Sequence, residues 1–283
     1  MQKFVFIFLI FTSFCKAQNE FDKYGPFGSQ VYTDLKLALS IQSNVYKMDL
    51  SYKKLDPKSY AKLGKLKDLQ ALKLSSNEIT SFPPDFGELY NLSYFASYNN
   101  EFTCFPTDFK KLVNLNYVEF FASKIDSIPA DIAYLSKLKT LKISSTNDTL
   151  KLPTTLRHLK NLKEVTIENC VLDSFPKEIF KIPYLNYLNL TNTNIFYITR
   201  HFERFINLEV LVLDANQLQS LPVEIYKAKN LRLLSVKNNH LQKLPDSVSQ
   251  LENLTLLDVR GNGFSKKYIE ELKALLPGCE IRF

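Results

Sequence analysis

Tryptophan is absent from the 283 residues, methionine occurs twice and glycine only seven times. Glycine this scarce excludes collagen-like and flexible glycine-rich architectures, and no Gly-rich loop of the phosphate-cradling kind is present. Metal-binding spacings are missing too: the chain has no CxxC, HExxH or calcium-loop pattern. Of the four cysteines, Cys15 lies in the first segment. The remaining three, Cys104, Cys170 and Cys279, are an odd count and a poor disulfide framework. No lysine run exceeds two, and charges of both signs alternate. A nucleic-acid protein would concentrate a basic stripe, so a nucleic-acid partner is not expected. Three histidines, His158, His201 and His240, fall far apart without serine or cysteine partners at equivalent depth, which argues against a catalytic triad.

Long apolar runs are also lacking, with one exception at the start. Lys3 precedes the eleven residues Phe4 to Phe14, and Cys15-Lys16-Ala17 follow with small residues at the −3 and −1 positions of a cut after Ala17. This is the pattern of a secretory signal peptide over residues 1–17, too short for a stable membrane span. The rival reading, a lipidated Cys15, is opposed by bulky Phe14 before it. Removing residues 1–17 takes away Lys3 and Lys16 and no acid, so the formal charge falls from +7 to +5. Export to the periplasm, the medium or the cell surface is expected, with no transmembrane segment.

What the chain does contain is repetition. Leucine recurs at 69, 92, 115, 138, 162, 185, 208, 231 and 254, in steps of 23 residues with a single step of 24. The fourth position of each unit is apolar: Leu72, Phe95, Val118, Leu141, Val165, Leu188, Leu211, Leu234 and Leu257. A proline column runs through Pro83, Pro106, Pro129, Pro153, Pro176, Pro222 and Pro245, broken by Thr199. A divergent first unit starts at Val45.

This pattern resembles the leucine-rich-repeat family in its 23-residue form with LP in the second half, and its export signal and cap style resemble bacterial members. The resemblance implies an α/β repeat solenoid, a horseshoe with a parallel sheet on its concave face and 3₁₀, irregular or short helical turns on the convex side. The pattern agrees physically. In LxxLxL the fourth and sixth residues are apolar between polar neighbours, a short strand with one buried face. One such strand cannot bury that face alone, so units stack. The expected organisation is an N-terminal cap at 18–44, ten repeats at 45–263 and a C-terminal cap at 264–283. Residues 32–40 and the stretch containing Ile269, Leu272 and Leu275 supply the cap helices.

The ninth position of the family repeat carries an asparagine that satisfies turn amides. Here the column reads Asn77, Asn100, Ser123, Thr146, Cys170, Thr193, Asn216, Asn239 and Asn262. The short side chains in the middle predict fewer satisfied amides, and faster exchange in the turns near 123–146 and 170–193. Sequons at Asn91, Asn147, Asn189 and Asn253 are explained by the abundance of asparagine in the repeat.

Family partners lie along the concave sheet, which presents the third, fifth, seventh and eighth positions of each unit. Tyr94, Tyr98, Tyr117 and Phe121 come from adjacent units and are expected to form one exposed aromatic cluster, with Ala96 and Ser97 leaving room for a partner's side chain. Tyr187, Val210, Val212 and Leu233, continuing to Leu256, form a second strip toward the C-terminus. Exposed aromatics anchor protein interfaces, yet the same residue types also support a sheet without any ligand. The function expected is non-catalytic recognition of a protein or peptide, without cofactor or metal. An envelope or cell-wall glycan and a structural or adhesive surface role are the alternatives. Oligomeric state is not legible.

Overall fold

The computed structural model describes residues 20–146, 149–172 and 174–283. The proposed leader, Asn147 and its sequon lie outside them. Among the described residues twelve strands form a single parallel sheet in which each strand pairs with its neighbours in sequence. They are β1 (Val31–Tyr32), β2 (Lys47–Asp49), β3 (Ala71–Lys73), β4 (Tyr94–Tyr98), β5 (Tyr117–Ser123) and β6 (Thr140–Ser145). The series continues with β7 (Glu164–Glu168), β8 (Tyr187–Asn189), β9 (Val210–Val212), β10 (Leu233–Ser235), β11 (Leu256–Asp258) and β12 (Glu280–Arg282). Register follows the repeat, so Leu72, Phe95, Val118, Leu141 and Val165 stand side by side. One continuous apolar core runs under the sheet, and its leucines are fully buried, each contributing about 2 kcal/mol.

The proline column sets the convex turns. The carbonyls of Pro83, Pro106, Pro129, Pro153, Pro176, Pro222 and Pro245 each accept from the amide three residues on, at 2.9–3.3 Å, closing a 3₁₀ turn. In the Thr199 unit the corresponding amide, Phe202 N–H, instead reaches Arg200 O at 3.0 Å. Phenylalanines crowd beneath these turns: Phe82 stacks on Phe102 at 4.2 Å and packs against Phe86, Phe95 and Phe120. A second group, Phe175, Phe180, Phe202 and Phe205, lies further along.

At both ends of the Asn column the side chain bridges repeats. Asn216 donates to Leu190 O, Leu213 O and Asp214 O and accepts from Thr193 N–H and Ile195 N–H. Asn100 accepts from Asn77 N–H and Ile79 N–H and donates to Leu74 O. In the middle, hydroxyls do less: Ser123 Oγ donates to Ser144 O at 3.3 Å, and Thr146 Oγ1 to Ser123 O at 3.0 Å. The expectation of under-satisfied central turns changes here, because β5, β6 and β7 run longer than the usual three residues and their backbone bonds replace part of the side-chain ladder. Ala122, at φ +52°, forms a bulge where the β5–β6 register shifts.

Two further columns escaped the sequence reading. The eighth position adopts the left-handed region at Tyr52, Ser76, Asn99, Ala122, Asn169, Asn192, Ala215, Asn238 and Gly261, so it turns the chain rather than extending the concave strand. Gly261 is required there, since a Cβ would lie 2.1 Å from Asn238 Oδ1. On the other edge, Asn91, Asn114, Asn161, Asn207, Asn230 and Asn253 each donate to a carbonyl of the preceding repeat at 2.6–3.3 Å. Their abundance is thus a second ladder.

Helices close both ends. In α1 (Leu35–Ile41), Asp34 caps the amides of Lys36 and Leu37, and Leu35 and Ala38 are buried. A short helix, α2 (Pro57–Tyr60), follows the first repeat strand. In α3 (Lys266–Leu275), capped by Ser265, Ile269 and Leu272 are buried. Leu275, grouped with them in the sequence, is exposed, and Leu276 takes the buried place just past the helix end.

Candidate functional site

The concave face presents rows of side chains fixed by the register. The third-position row reads Lys47, Ala71, Tyr94, Tyr117, Thr140, Glu164, Tyr187, Val210, Leu233 and Leu256. Beside it the fifth-position row runs from Asp49 and Lys73 through Ala96, Glu119 and Lys142 to Asn189, Val212, Ser235 and Asp258.

The aromatic cluster assembles but is closed. Tyr94 and Tyr117 stack with ring centroids 4.7 Å apart, and Tyr98 lies 5.7 Å from Phe121. Tyr94 is 0% exposed, Tyr117 2% and Tyr98 7%, while Phe121 is half-buried. The cover comes from residues 20–24. Phe21, itself 1% exposed, packs among Ala71, Tyr94, Ala96, Tyr98 and Tyr117, and Tyr24 leans on Tyr94 at 5.4 Å. The exposed platform expected from the sequence is therefore roofed: alternation tells which side of the sheet a residue takes, not what else folds over it. The space at Ala96 is filled by Phe21. Ser97 instead points into the core, where its hydroxyl accepts from Asn100 Nδ2 at 2.8 Å.

Charges lie beneath this roof. Glu119, 2% exposed, accepts from the Tyr117 hydroxyl at 2.5 Å. Lys73 places its ammonium 4.3 Å from the Phe21 ring centroid, and burial pulls its pKa down against the opposing pull of Asp49, Asp22 and Glu119. Burial pushes the Tyr94, Tyr98 and Tyr117 hydroxyls far above the usual tyrosine range, with the Glu119 charge adding to it. Tyr24 is raised to about 12 by burial and then by Glu20.

Leucine rich repeat family models match residues 206–264 and 68–89. Together with the sequential parallel sheet and the bridging Asn column, that settles the family. The chain is a leucine-rich-repeat protein. No curated protein matches it in sequence. Among solved structures it is similar to the toll-like receptor of the TLR13–ssRNA13 complex (21% identity, TM-score 0.75, covering 88% of this chain and 38% of that one). It also resembles the Drosophila Toll–Spatzle complex (23%, TM-score 0.68, 83% and 32%) and an internalin, inlF, from Listeria monocytogenes (17%, TM-score 0.62, 85% and 74%). At these identities the likeness is one of fold.

The C-terminal half of this leucine-rich-repeat sheet is open. Tyr187, Val210, Val212, Leu233 and Leu256 are half-buried with no roof described over them, forming an apolar strip across β8–β11. Polar groups border it in fixed positions. Asp214 accepts from Ser235 Oγ at 2.5 Å and Lys237 N–H at 2.9 Å, and pairs with Lys237 Nζ at 2.9 Å. Arg260 Nη2 meets Asp258 at 2.5 Å. Glu168 accepts from Asn189 Nδ2 at 2.5 Å. Its carboxyl is held above the usual range by burial, with the Asn189 bond and Lys142 pulling the other way. Burial raises the Tyr187 hydroxyl to about 12.

Among the described residues the three histidines stand in separate repeats, His158 and His201 in or beside convex 3₁₀ turns rather than on this face. His201 faces Glu203 at 3.4 Å, His240 faces Gln217 at 2.7 Å, and His158 accepts from Arg157. Among the described residues no group of three metal-ligating side chains occurs, and no helix is long and apolar enough to cross a membrane. The three cysteines are free thiols. Cys170 is buried, its thiol pushed up to about 12, while Cys104 is exposed.

Proposed function

We propose that this chain is an exported, non-catalytic recognition module that holds a protein or peptide on its concave face. The observation that carries the reading is the open strip of Tyr187, Val210, Val212 and Leu233, bordered by the Asp214–Lys237 pair. Half-exposed apolar anchors inside a polar rim are the make-up of a binding hot spot. Tyr94, Tyr98, Tyr117 and Phe121 belong to the same surface and are reached when residues 20–24 leave it. Export rests on the signal-like first 17 residues. The similar Toll fold is solved with a protein, Spatzle, and the similar TLR13 fold with RNA. The excess of basic residues is mild and spread among acids, without a concentrated basic stripe, and this favours the protein class here.

The test uses the chain from Gln18, which holds every described residue, as bait against surface and secreted extracts of its source. A Val210→Asp/Leu233→Asp variant with an unchanged circular dichroism spectrum runs beside it. A partner held by the parent and lost by the variant places recognition on the open strip. Equal capture by both removes the strip from the site. Release of the captured partner by soluble oligosaccharide would instead favour a glycan ligand.

A further inference from the structure

The roof over β3–β5 has the character of a bound peptide. Phe21 meets the Tyr94 ring edge-on at 5.5 Å, above the gap that Ala71 and Ala96 leave in their rows. Tyr24 comes to the same ring because the segment turns: Lys23 N–H donates to Glu20 O and Tyr24 N–H to Phe21 O. Two cations on the sheet answer the occupant's polar groups. Lys47 Nζ donates to Asp22 O at 2.9 Å, and Lys73 Nζ sits over the Phe21 ring, where Asp22 also acts on its charge. These grips are made by side chains, with no strand added to the sheet edge. The segment joins β1 through Gly25-Pro26-Phe27-Gly28, whose glycines stand at φ +82° and +73° and whose Phe27 is fully exposed. The φ of Gly25 is one that L side chains rarely adopt, which favours glycine there.

We propose that the surface over β3–β5 is a socket for a peptide turn carrying two aromatic side chains three residues apart with an acid between them, and that residues 20–24 are its resident, displaceable occupant. The inference rests on reading the concave face as a recognition surface. The tethered segment competes at an effective concentration on the order of millimolar, so an incoming turn must match its chemistry and exceed its affinity. Burial of Tyr94 and Tyr117 in the free chain is then the closed state of a site.

The probe is a fluorescein-labelled peptide of residues 20–28, followed by anisotropy. It is added to the chain from Gln18 and to a Phe21→Ala/Tyr24→Ala variant of that chain. The variant should bind saturably and at least tenfold more tightly than the parent, and a peptide carrying the same two alanines should not bind. A folded variant that binds no better than the parent overturns the proposal. Native-state hydrogen exchange on the unmodified chain is the second measurement. Amides of residues 20–24 should exchange well ahead of those in β4 and β5. Exchange only together with those strands overturns the proposal, because the segment is then a fixed part of the core. If the peptide binds the emptied socket while no partner is captured from extracts, the socket stands and the recognition reading falls. The reverse pattern retires the socket alone.

Discussion

Over β3 to β5 the concave sheet lies under Phe21 and Tyr24, whereas over β8 to β11 the third-position row of the repeat meets solvent. The repeat chemistry in the two regions is alike: apolar third positions, mixed fifth positions and a turn that carries asparagine except at Ser123 and Thr193. The halves differ in what reaches them from outside the repeats. Under the roof, the third-position tyrosines Tyr94 and Tyr117 stack on one another and are almost fully enclosed. In the open half, the third-position apolar residues remain half-exposed, and the buried Asp214 is satisfied by Ser235 of β10 and by Lys237 just beyond it. A residue's place in the repeat therefore sets its direction, and the tertiary cover sets whether it serves stability or contact.

The largest test of this contrast is a pair of truncations. Tyr117→Ala removes a stacked, enclosed ring and should cost about 3–5 kcal/mol, whereas Leu233→Ala on the open strip should cost about 1 kcal/mol. Urea midpoints at constant m-value measure both, and equal losses would erase the distinction between the halves. Between the halves the ladder gives a second, smaller test. Asn216→Ala strips the acceptor from Thr193 and Ile195 amides and should cost about 2 kcal/mol, with faster exchange at both. Ser123→Ala should cost under about 1 kcal/mol, because the longer β5 and β6 carry that turn on backbone bonds. A larger loss at Ser123 would show that strand extension does not replace the asparagine.

The smallest effect concerns Glu168, at the border of the open half. Burial raises its folded pKa above the unfolded value, so the folded chain binds this proton more tightly. Its contribution is fully present below the ordinary carboxylate range and is lost as pH rises through the raised value. Stability measured by urea at several pH values between about 4 and 8 should show this decline, and Glu168→Gln should abolish it. An unchanged pH slope in the variant would mean that Glu168 is solvated like any surface acid.

The column of Leu69 to Leu254 was enough to read the stacking and the parallel sheet, because each unit must bury the same face against its neighbour. The proline column likewise announced the convex turns. The left-handed eighth position and the second asparagine ladder were present as residue columns, but their roles depend on backbone angles and carbonyls one repeat away. For the candidate site, the sequence grouped Tyr94, Tyr98, Tyr117 and Phe121 correctly and placed Tyr187, Val210, Val212 and Leu233 on the same face. It could not reveal the roof. Phe21 and Tyr24 stand outside every repeat, about 50 residues or more from the strands they cover, and no periodicity marks such a pairing.

What the sequence determined by itself is the repeating local problem and its one solution: a strand too short to bury its own face, a turn needing an asparagine, and a proline to start the return. Those are near-neighbour interactions, and 23-residue spacing records them directly. Only the tertiary structure decided which half of the concave face is closed. That outcome depends on a non-repeating segment finding a gap over Ala71 and Ala96, with lysines beneath to hold it, and shape and charge at such a distance are set only once the sheet exists.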